Sequence, residues 1–92
     1  MGREASKVQV TITDIQGTGE CSQGFKKGDT WLIEENITPT NFCMFAFGVI
    51  YPTLKTMRHG GVMPWGESEV TALGCPDFHH TVIYEIRRLP PE

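Results

Sequence analysis

The sequence predicts an α+β fold of the order ββαββ: a four-stranded antiparallel sheet, built as two hairpins, with one proline-broken helix packed on one face. Apolar and polar residues alternate near both ends of the chain, an apolar helical segment lies in the middle, and glycine, proline and asparagine separate them. With 92 residues, we expect a single domain, 1–92, in which residues 1–6 are disordered.

The first hairpin is predicted near the N-terminus. Val8, Val10 and Ile12 alternate with polar residues, which indicates a strand with one buried face. The segment 16–29 contains four glycines and is predicted to be a long turn, because glycine adopts positive φ at little steric cost. Thr30–Glu34 then forms the second strand, antiparallel to the first.

A helix is predicted next, in two pieces. The first piece is Phe42–Tyr51 and the second is Thr53–Arg58, because Pro52 cannot continue the helical hydrogen bonds. Serine, threonine and asparagine are common at helix N-caps, and proline is common at the first helical position. The candidate caps are Thr38, followed by Pro39, and as alternatives Thr40 and Asn41.

The helical segment is apolar around most of its circumference. Nearly every position from Phe42 to Tyr51 is apolar, whereas an amphipathic surface helix leaves about half of its circumference polar. One small sheet can cover only one face of such a helix. We therefore expect a homo-oligomer, in which a second copy of the chain covers the other face.

The second hairpin completes the sheet. Glu69–Gly74 is predicted to be the third strand and Thr81–Leu89 the fourth, with a turn at 75–80 between them. In the fourth strand, Val82 and Tyr84 share one face.

Charge and composition exclude several classes of function. Eleven acidic residues outweigh eight basic ones, the net charge is −3 and the basic residues are scattered, so we expect no nucleic-acid partner. No stretch reaches the roughly 18–20 apolar residues of a membrane span, so we expect no membrane partner. Three cysteines without a Cys-x-x-Cys motif favour a reducing, cytoplasmic location.

The cysteines are the first group of candidate functional residues. If the second strand ends where the helix begins, then Cys43 and Cys75 meet at one pole of the molecule and Cys21 lies at the other. The dipole at the start of the helix favours the thiolate form of Cys43. We expect the following side chains to gather at the first pole: Cys43, Cys75, Asp77, His79 and His80.

Two chemical uses of this group remain open beside simple burial of the thiols. Two cysteines and a histidine can hold Zn²⁺, but zinc ligands usually occur in close pairs, so no metal and no cofactor is assigned. Alternatively, Cys43 or Cys75 can act as a nucleophile with His80 as base, although no third, orienting residue is evident. No catalytic residue is assigned.

The loop after the helix holds a second group of candidates. An aromatic residue near a cation and exposed backbone amides can line a small-molecule pocket, which makes Arg58, His59 and Trp65 candidate ligand-binding residues. Equally, Trp65 can serve only to hold the loop over the core.

Several motifs resemble those of a family of small bacterial and archaeal proteins, about ninety residues long, for which we know of no established activity. The shared pattern is Cys-x-x-Gly-x-x-x-Gly-Asp, a helix with a cysteine near its start and Tyr-Pro near its middle, Gly-Gly-x-x-Pro-Trp, Cys-Pro-Asp, and a final strand ending in Arg-Arg. The matching positions are Cys21, Gly24, Gly28-Asp29, Cys43, Tyr51-Pro52, Gly60-Gly61, Pro64-Trp65, Cys75-Pro76-Asp77 and Arg87-Arg88. The chain departs from the pattern where no proline follows Cys43 and at His79-His80.

Two functions follow as hypotheses. The first is a small homo-oligomeric binding or accessory module, whose apolar helix makes the subunit contact and whose Arg58–Trp65 loop contacts a small molecule or a partner protein. The alternative is a cysteine-dependent enzyme or metal-binding protein that uses Cys43, Cys75 and His80.

Overall fold

The computed structural model describes residues 5–17, 21, 23–64, 67, 69–77 and 79–90. Its elements follow the predicted order ββαββ, and the α+β fold with one helix on one face of an antiparallel sheet is confirmed. The elements are β1 Val8–Ile15, β2 Thr30–Ile33, α1 Met44–Arg58, β3 Val70–Gly74 and β4 Val82–Arg88.

The four strands form one antiparallel sheet in the order β2-β1-β4-β3. β1 pairs with β2 and β3 pairs with β4, as the two predicted hairpins require. The hairpins join through β1 and β4, which pair from Val8 opposite Arg88 to Ile15 opposite Val82. The first and last strands therefore form the centre of the sheet, and the shorter strands form its edges.

The buried face of the sheet follows the predicted alternation. Val8, Val10 and Ile12 of β1 are at most 1% exposed, and so are Val82 and Tyr84 of β4. Burial of each such side chain contributes on the order of 1.5–3 kcal/mol. This face carries α1, whose buried side chains complete the core.

β1 contains a β-bulge and runs to Ile15, beyond the predicted alternation of Val8, Val10 and Ile12. The register with β4 shifts between Ile12 and Asp14, so Thr13 is an extra residue in the strand. Strict alternation would turn Ile15 towards the other face of the sheet. Because of the bulge, Ile15 pairs with Val82, and its side chain is buried on the face of the sheet that carries α1.

The predicted helix start is wrong. α1 begins at Met44, and its N-cap is Cys43, whose backbone is extended (φ −67°, ψ 123°) and whose side chain makes no capping hydrogen bond. The predicted caps, which lie before the observed one, were Thr38, Thr40 and Asn41.

Contacts of the preceding residues explain the later start. The Phe42 ring lies 4.5 Å from the Trp31 ring and 5.4 Å from the Tyr84 ring, centroid to centroid. Asn41 has a φ of 55°, which is outside the right-handed helical region, and its carbonyl accepts a hydrogen bond from Trp31 Nε1 at 3.2 Å. These contacts hold the chain before Cys43 in a non-helical path.

The predicted break at Pro52 is not found, because α1 runs through this residue without interruption. A proline inside a helix removes one N–H donor and crowds the carbonyl four residues earlier, here that of Gly48. Gly48 and Pro52 are both exposed, so this carbonyl faces solvent, where water can bind it. The Thr56 hydroxyl also donates to the Pro52 carbonyl at 2.9 Å.

α1 keeps an exposed apolar stripe on the side away from the sheet. Its residues are exposed, and their separation by one, three or four positions places them along one side of the helix. We call this set the apolar stripe: Met44, Phe45, Gly48, Val49 and Pro52. Within the described residues, no helix combines the length and the apolar character that crossing a membrane requires.

The connection between β2 and α1 reverses the direction of the chain. β2 ends at Ile33, which pairs with Val8 at the beginning of β1. Residues 34–43 then return along the sheet, and α1 runs back to the beginning of β1, where Ser6 N–H donates to the Arg58 carbonyl at 2.7 Å. The helix therefore begins at the end of the molecule where β1 ends.

Candidate functional site

All three cysteines of the chain line one pocket of about 300 Å³ beside the start of α1. We call it the thiol pocket. Its walls are formed by Cys21, Gln23, Cys43, Phe45, Cys75, Pro76, Asp77, His80, Val82 and Tyr84. The structure thus brings Cys43, Cys75 and His80 together, and it adds Cys21 to them.

The predicted position of Cys21, at the opposite pole, is wrong. The prediction assumed that β2 ends where α1 begins, but residues 34–43 carry the chain back along the sheet. Since β1 ends beside the start of β4, Gln16 and Gly17, which follow β1, lie next to the turn after Cys75. The Gln16 N–H donates to the Thr81 carbonyl at 2.8 Å and fixes this proximity.

Local backbone geometry positions two of the sulfur atoms. The Gln23 N–H donates to Cys21 Sγ at 3.4 Å, and the Gly24 N–H donates to the Cys21 carbonyl at 2.9 Å. Gly24 has a φ of 87°, so the Cys-x-x-Gly spacing supplies the left-handed residue that this tight turn requires. At the other side of the pocket, the Val82 N–H donates to Cys75 Sγ at 3.3 Å.

The thiols are free and half-buried. Cys43 differs from the other two because it is the N-cap of α1 and lies at the positive end of the helix dipole. Cys21 Sγ and Cys75 Sγ each accept one backbone N–H, and Cys43 stands at the first turn of α1.

Tyr84 forms part of the pocket wall and carries a phenol among the thiols. Burial raises the pKa of Tyr84, and Cys43, Cys21 and Cys75 raise it further by electrostatic repulsion. The hydroxyl is therefore protonated at neutral pH. It makes no hydrogen bond to a residue in the described part of the chain, so its O–H can donate to a molecule in the pocket.

The turn after Cys75 is organised by Asp77. Its Oδ1 accepts from the backbone N–H groups of His79 at 3.0 Å and His80 at 3.1 Å, which lowers the pKa of Asp77. His80 is half-buried and lines the thiol pocket, whereas His79 is exposed and does not line it. The alternation of β4, which places His80 on the face of Val82 and Tyr84, points to the same one of the two histidines.

The pocket is not arranged around a single metal ion. Among the His, Cys, Asp and Glu side chains of the described ranges, no three are grouped closely enough to hold one. Sulfur ligands of a tetrahedral metal lie about 2.3 Å from it. A bare ion would therefore reach three of these side chains only after they move.

A second pocket, of about 330 Å³, lies beside the last turns of α1. Arg58 and His59, two of the three predicted ligand-binding residues, line it together with Lys55. We call it the basic pocket. The third predicted residue, Trp65, lies outside the described residues.

Sequence reasoning missed Cys21 and Tyr84 at the thiol pocket and Lys55 at the basic pocket. The Cys-x-x-Gly spacing singled out Cys21, but its position depended on the connection between β2 and α1. Tyr84 alternates with Val82 and Ile86 and so resembles an ordinary core residue. Lys55 precedes His59 by four residues, which places both on one side of a helix.

Comparison of the chain with models of protein families, with curated proteins and with solved structures finds no match. The resemblance to a family of small bacterial and archaeal proteins therefore stays a prediction.

Proposed function

We propose that the protein is a small ligand-binding module whose thiol pocket takes a thiophilic ligand, one that forms bonds to cysteine sulfur. The observation that carries this proposal is that Cys21, Cys43 and Cys75 line one pocket although they come from three separate segments of the chain.

The partial exposure of the three thiols supports a role in ligand binding and not only in core packing. A structural cysteine is usually buried like a small hydrophobic residue. These three are half-buried and turn towards a shared space, and two accept backbone N–H donors. Such N–H donors stabilise a sulfur atom that carries negative charge, as cysteine sulfur does when it binds a metal.

The size of the pocket favours a ligand larger than a bare ion. The described side chains offer no three donors grouped around a single ion, and the free space is about 300 Å³. A small metal cluster or a small organic electrophile would span the separation between sulfur atoms. Tyr84 O–H and His80 add polar contacts at the wall.

A cysteine-dependent enzyme is the alternative at the same site. Its nucleophile would be Cys43 or Cys75, with His80 as the base, since His80 lines the same pocket. The rate of alkylation separates the two functions: a nucleophilic cysteine reacts much faster than free cysteine near neutral pH, and a ligand-holding cysteine does not.

We also propose that the protein assembles with copies of itself through the apolar stripe. Met44 is 76% exposed and Phe45 is 65% exposed, which leaves large apolar side chains in water. Gly48 lies between them and Val49 without a side chain, and a Cβ there would meet no atom within 4 Å, so another helix can approach closely. Size-exclusion chromatography with light scattering tests this, and a monomer at micromolar concentration would contradict it.

Three free thiols that face a pocket need a reducing compartment to stay available. We therefore propose a cytoplasmic location together with this function.

Native mass spectrometry of protein isolated without oxygen tests the proposed ligand. We expect a retained mass on the intact chain that disappears in each of the variants Cys21→Ser, Cys43→Ser and Cys75→Ser, because all three sulfurs contact the ligand. Leu32→Ser, which changes an exposed residue of β2, is the control and should keep the mass.

The proposal would be wrong if two results occurred together. One is the absence of a retained mass on the unmodified protein. The other is that Cd²⁺ and phenylarsine oxide, added as thiophilic probes, bind no better to it than to the protein without cysteines.

A further inference from the structure

The basic pocket contains a buried arginine whose charge is not balanced. Arg58 is 7% exposed. Its Nη1 donates to the carbonyls of Ser6 at 3.0 Å and Ile33 at 3.3 Å, and its Nη2 donates to Asn36 Oδ1 at 3.0 Å. All three acceptors are neutral.

The remaining donors of Arg58 lack partners. A guanidinium group has five N–H donors. The buried Nε of Arg58 has no hydrogen-bond partner, and no carboxylate in the described part of the chain forms an ion pair with this side chain. A buried charge without a partner of opposite charge is costly, so an anion nearby would stabilise this arrangement.

The pocket beside Arg58 has the chemistry to receive such an anion. Lys55 and His59 also line it, and Glu35 is the acidic residue among the lining side chains. The wall is otherwise mainly apolar, with Ile37 and Leu54 among its members. Its volume of about 330 Å³ is at the lower end of the range for small-molecule sites.

We propose that the basic pocket binds a small organic carboxylate with an apolar body. The carboxylate supplies the negative charge that Arg58 lacks. Because Nε is enclosed and Nη1 already donates to two carbonyls, the group that donates to the carboxylate is the second N–H of Nη2. The apolar body packs on the wall of the pocket. This site is separate from the thiol pocket, and neither depends on the other.

Arg58 also has a structural role, which decides how the proposal is tested. Its hydrogen bonds hold residue 6, the end of β2 and residue 36 to the last turn of α1. Substitution of Arg58 would disturb the fold together with the site. The informative substitutions are therefore Lys55→Gln and Glu35→Gln, which change the charge of exposed residues at the pocket.

Nuclear magnetic resonance of ¹⁵N-labelled protein, titrated with benzoate and hexanoate, tests the proposal. We expect saturable shifts of backbone amides in residues 35–38 and 54–59, with a Kd of about 1 mM or tighter. The uncharged probes benzamide and hexanamide should shift these amides far less. Lys55→Gln should weaken benzoate binding about threefold and Glu35→Gln should tighten it by a similar factor.

Lys27→Gln is the matched control, because Lys27 is exposed and does not line the pocket. Three results would overturn the proposal: no saturable shift with either carboxylate, equal shifts with the amides, or equal weakening by Lys55→Gln and Lys27→Gln. Saturable binding of inorganic phosphate without binding of either carboxylate would also overturn it. Such a result would not contradict the proposed function of the thiol pocket, because that proposal is tested with other residues and other probes.

Discussion

Gly17 shows how a single residue positions the thiol pocket. It follows β1 with a φ of 78°, and a Cβ at this position would collide with the backbone carbonyl of His79. Gly17 is thus required both by its conformation and by close packing against the turn that carries His80. This contact places the chain that leaves β1 beside the turn, and Cys21, four residues after Gly17, lines the thiol pocket with His80.

We predict that Gly17→Ala destabilises the protein more than Gly28→Ala does. Gly28 also has positive φ, at 97°, but a Cβ there meets no atom within 4 Å. Gly28→Ala should cost about 1–2 kcal/mol from backbone strain alone, and Gly17→Ala at least about 1 kcal/mol more from the collision. Urea denaturation measures both. Equal losses would show that Gly17 does not pack as described.

Asp77 is predicted to make stability depend on pH in the acidic range. Backbone N–H groups of His79 and His80 favour its charged form, so the pKa of Asp77 is lower in the folded protein than in the unfolded chain. A group with a lowered folded pKa stabilises the fold above its unfolded pKa and loses that effect as pH falls through the folded value.

The test compares wild type with Asp77→Ala. The variant should be less stable at pH 7, and the difference should shrink as pH falls below the pKa of an ordinary aspartate, as thermal denaturation at several pH values would show. A difference that stays constant down to pH 2 would contradict the role assigned to the carboxylate.

At the scale of elements, α1 carries two residues that weaken a helix. Pro52 removes a hydrogen bond in the interior of the helix, and Gly48 adds backbone freedom to the unfolded chain. Both are exposed, and a Cβ at Gly48 would meet no atom within 4 Å. Both lie on the apolar stripe, where the proposed self-association would give them a role that helix stability does not.

We predict that Pro52→Ala raises the free energy of unfolding by about 1–3 kcal/mol, because it restores the N–H donor and removes the crowding at the Gly48 carbonyl. Gly48→Ala should raise it by about 1 kcal/mol. Urea denaturation measures both. A loss of stability in Pro52→Ala would mean that the proline is required for the path of the helix.

The strands were predictable from sequence because their alternation follows directly from burial on one face. Val8, Val10 and Ile12 alternate in sequence and lie in the core. The burial of Ile15 was not predictable, since it depends on a bulge at Thr13 that only the pairing with β4 defines.

The candidate sites were predictable only in part. Cys43, Cys75 and His80 line one pocket, because the start of α1 and the turn between β3 and β4 meet there. Cys21 was placed wrongly, because the sequence does not show that residues 34–43 return along the sheet. The N-cap at Cys43 was missed because aromatic contacts of Phe42, rather than a capping side chain, decide where α1 begins.

At the scale of the whole molecule, the two pockets lie at opposite ends of α1 and differ in chemistry. The thiol pocket is lined by sulfur and a phenol, and the basic pocket by Lys55, Arg58 and His59. Phe45 belongs both to the thiol pocket and to the apolar stripe. Self-association through the stripe would therefore cover one wall of the thiol pocket.

We predict that Phe45→Ala weakens self-association and also speeds the reaction of the thiols with a maleimide, because it removes one wall of the pocket. Met44→Ala is the matched control: Met44 is exposed on the stripe but does not line the pocket. Met44→Ala should weaken association without changing the rate at which the thiols of the monomer react with the maleimide. Light scattering and labelling rates at low protein concentration measure the two effects.

Labelling of the native protein with a bulky aryl maleimide, counted by intact mass, tests most directly whether the three thiols share one pocket. The first label should fill much of the 300 Å³ and block the other cysteines. A singly labelled chain should therefore accumulate and persist, while denatured protein takes three labels. Independent labelling of native protein, with doubly and triply labelled chains in statistical proportion, would contradict the shared pocket.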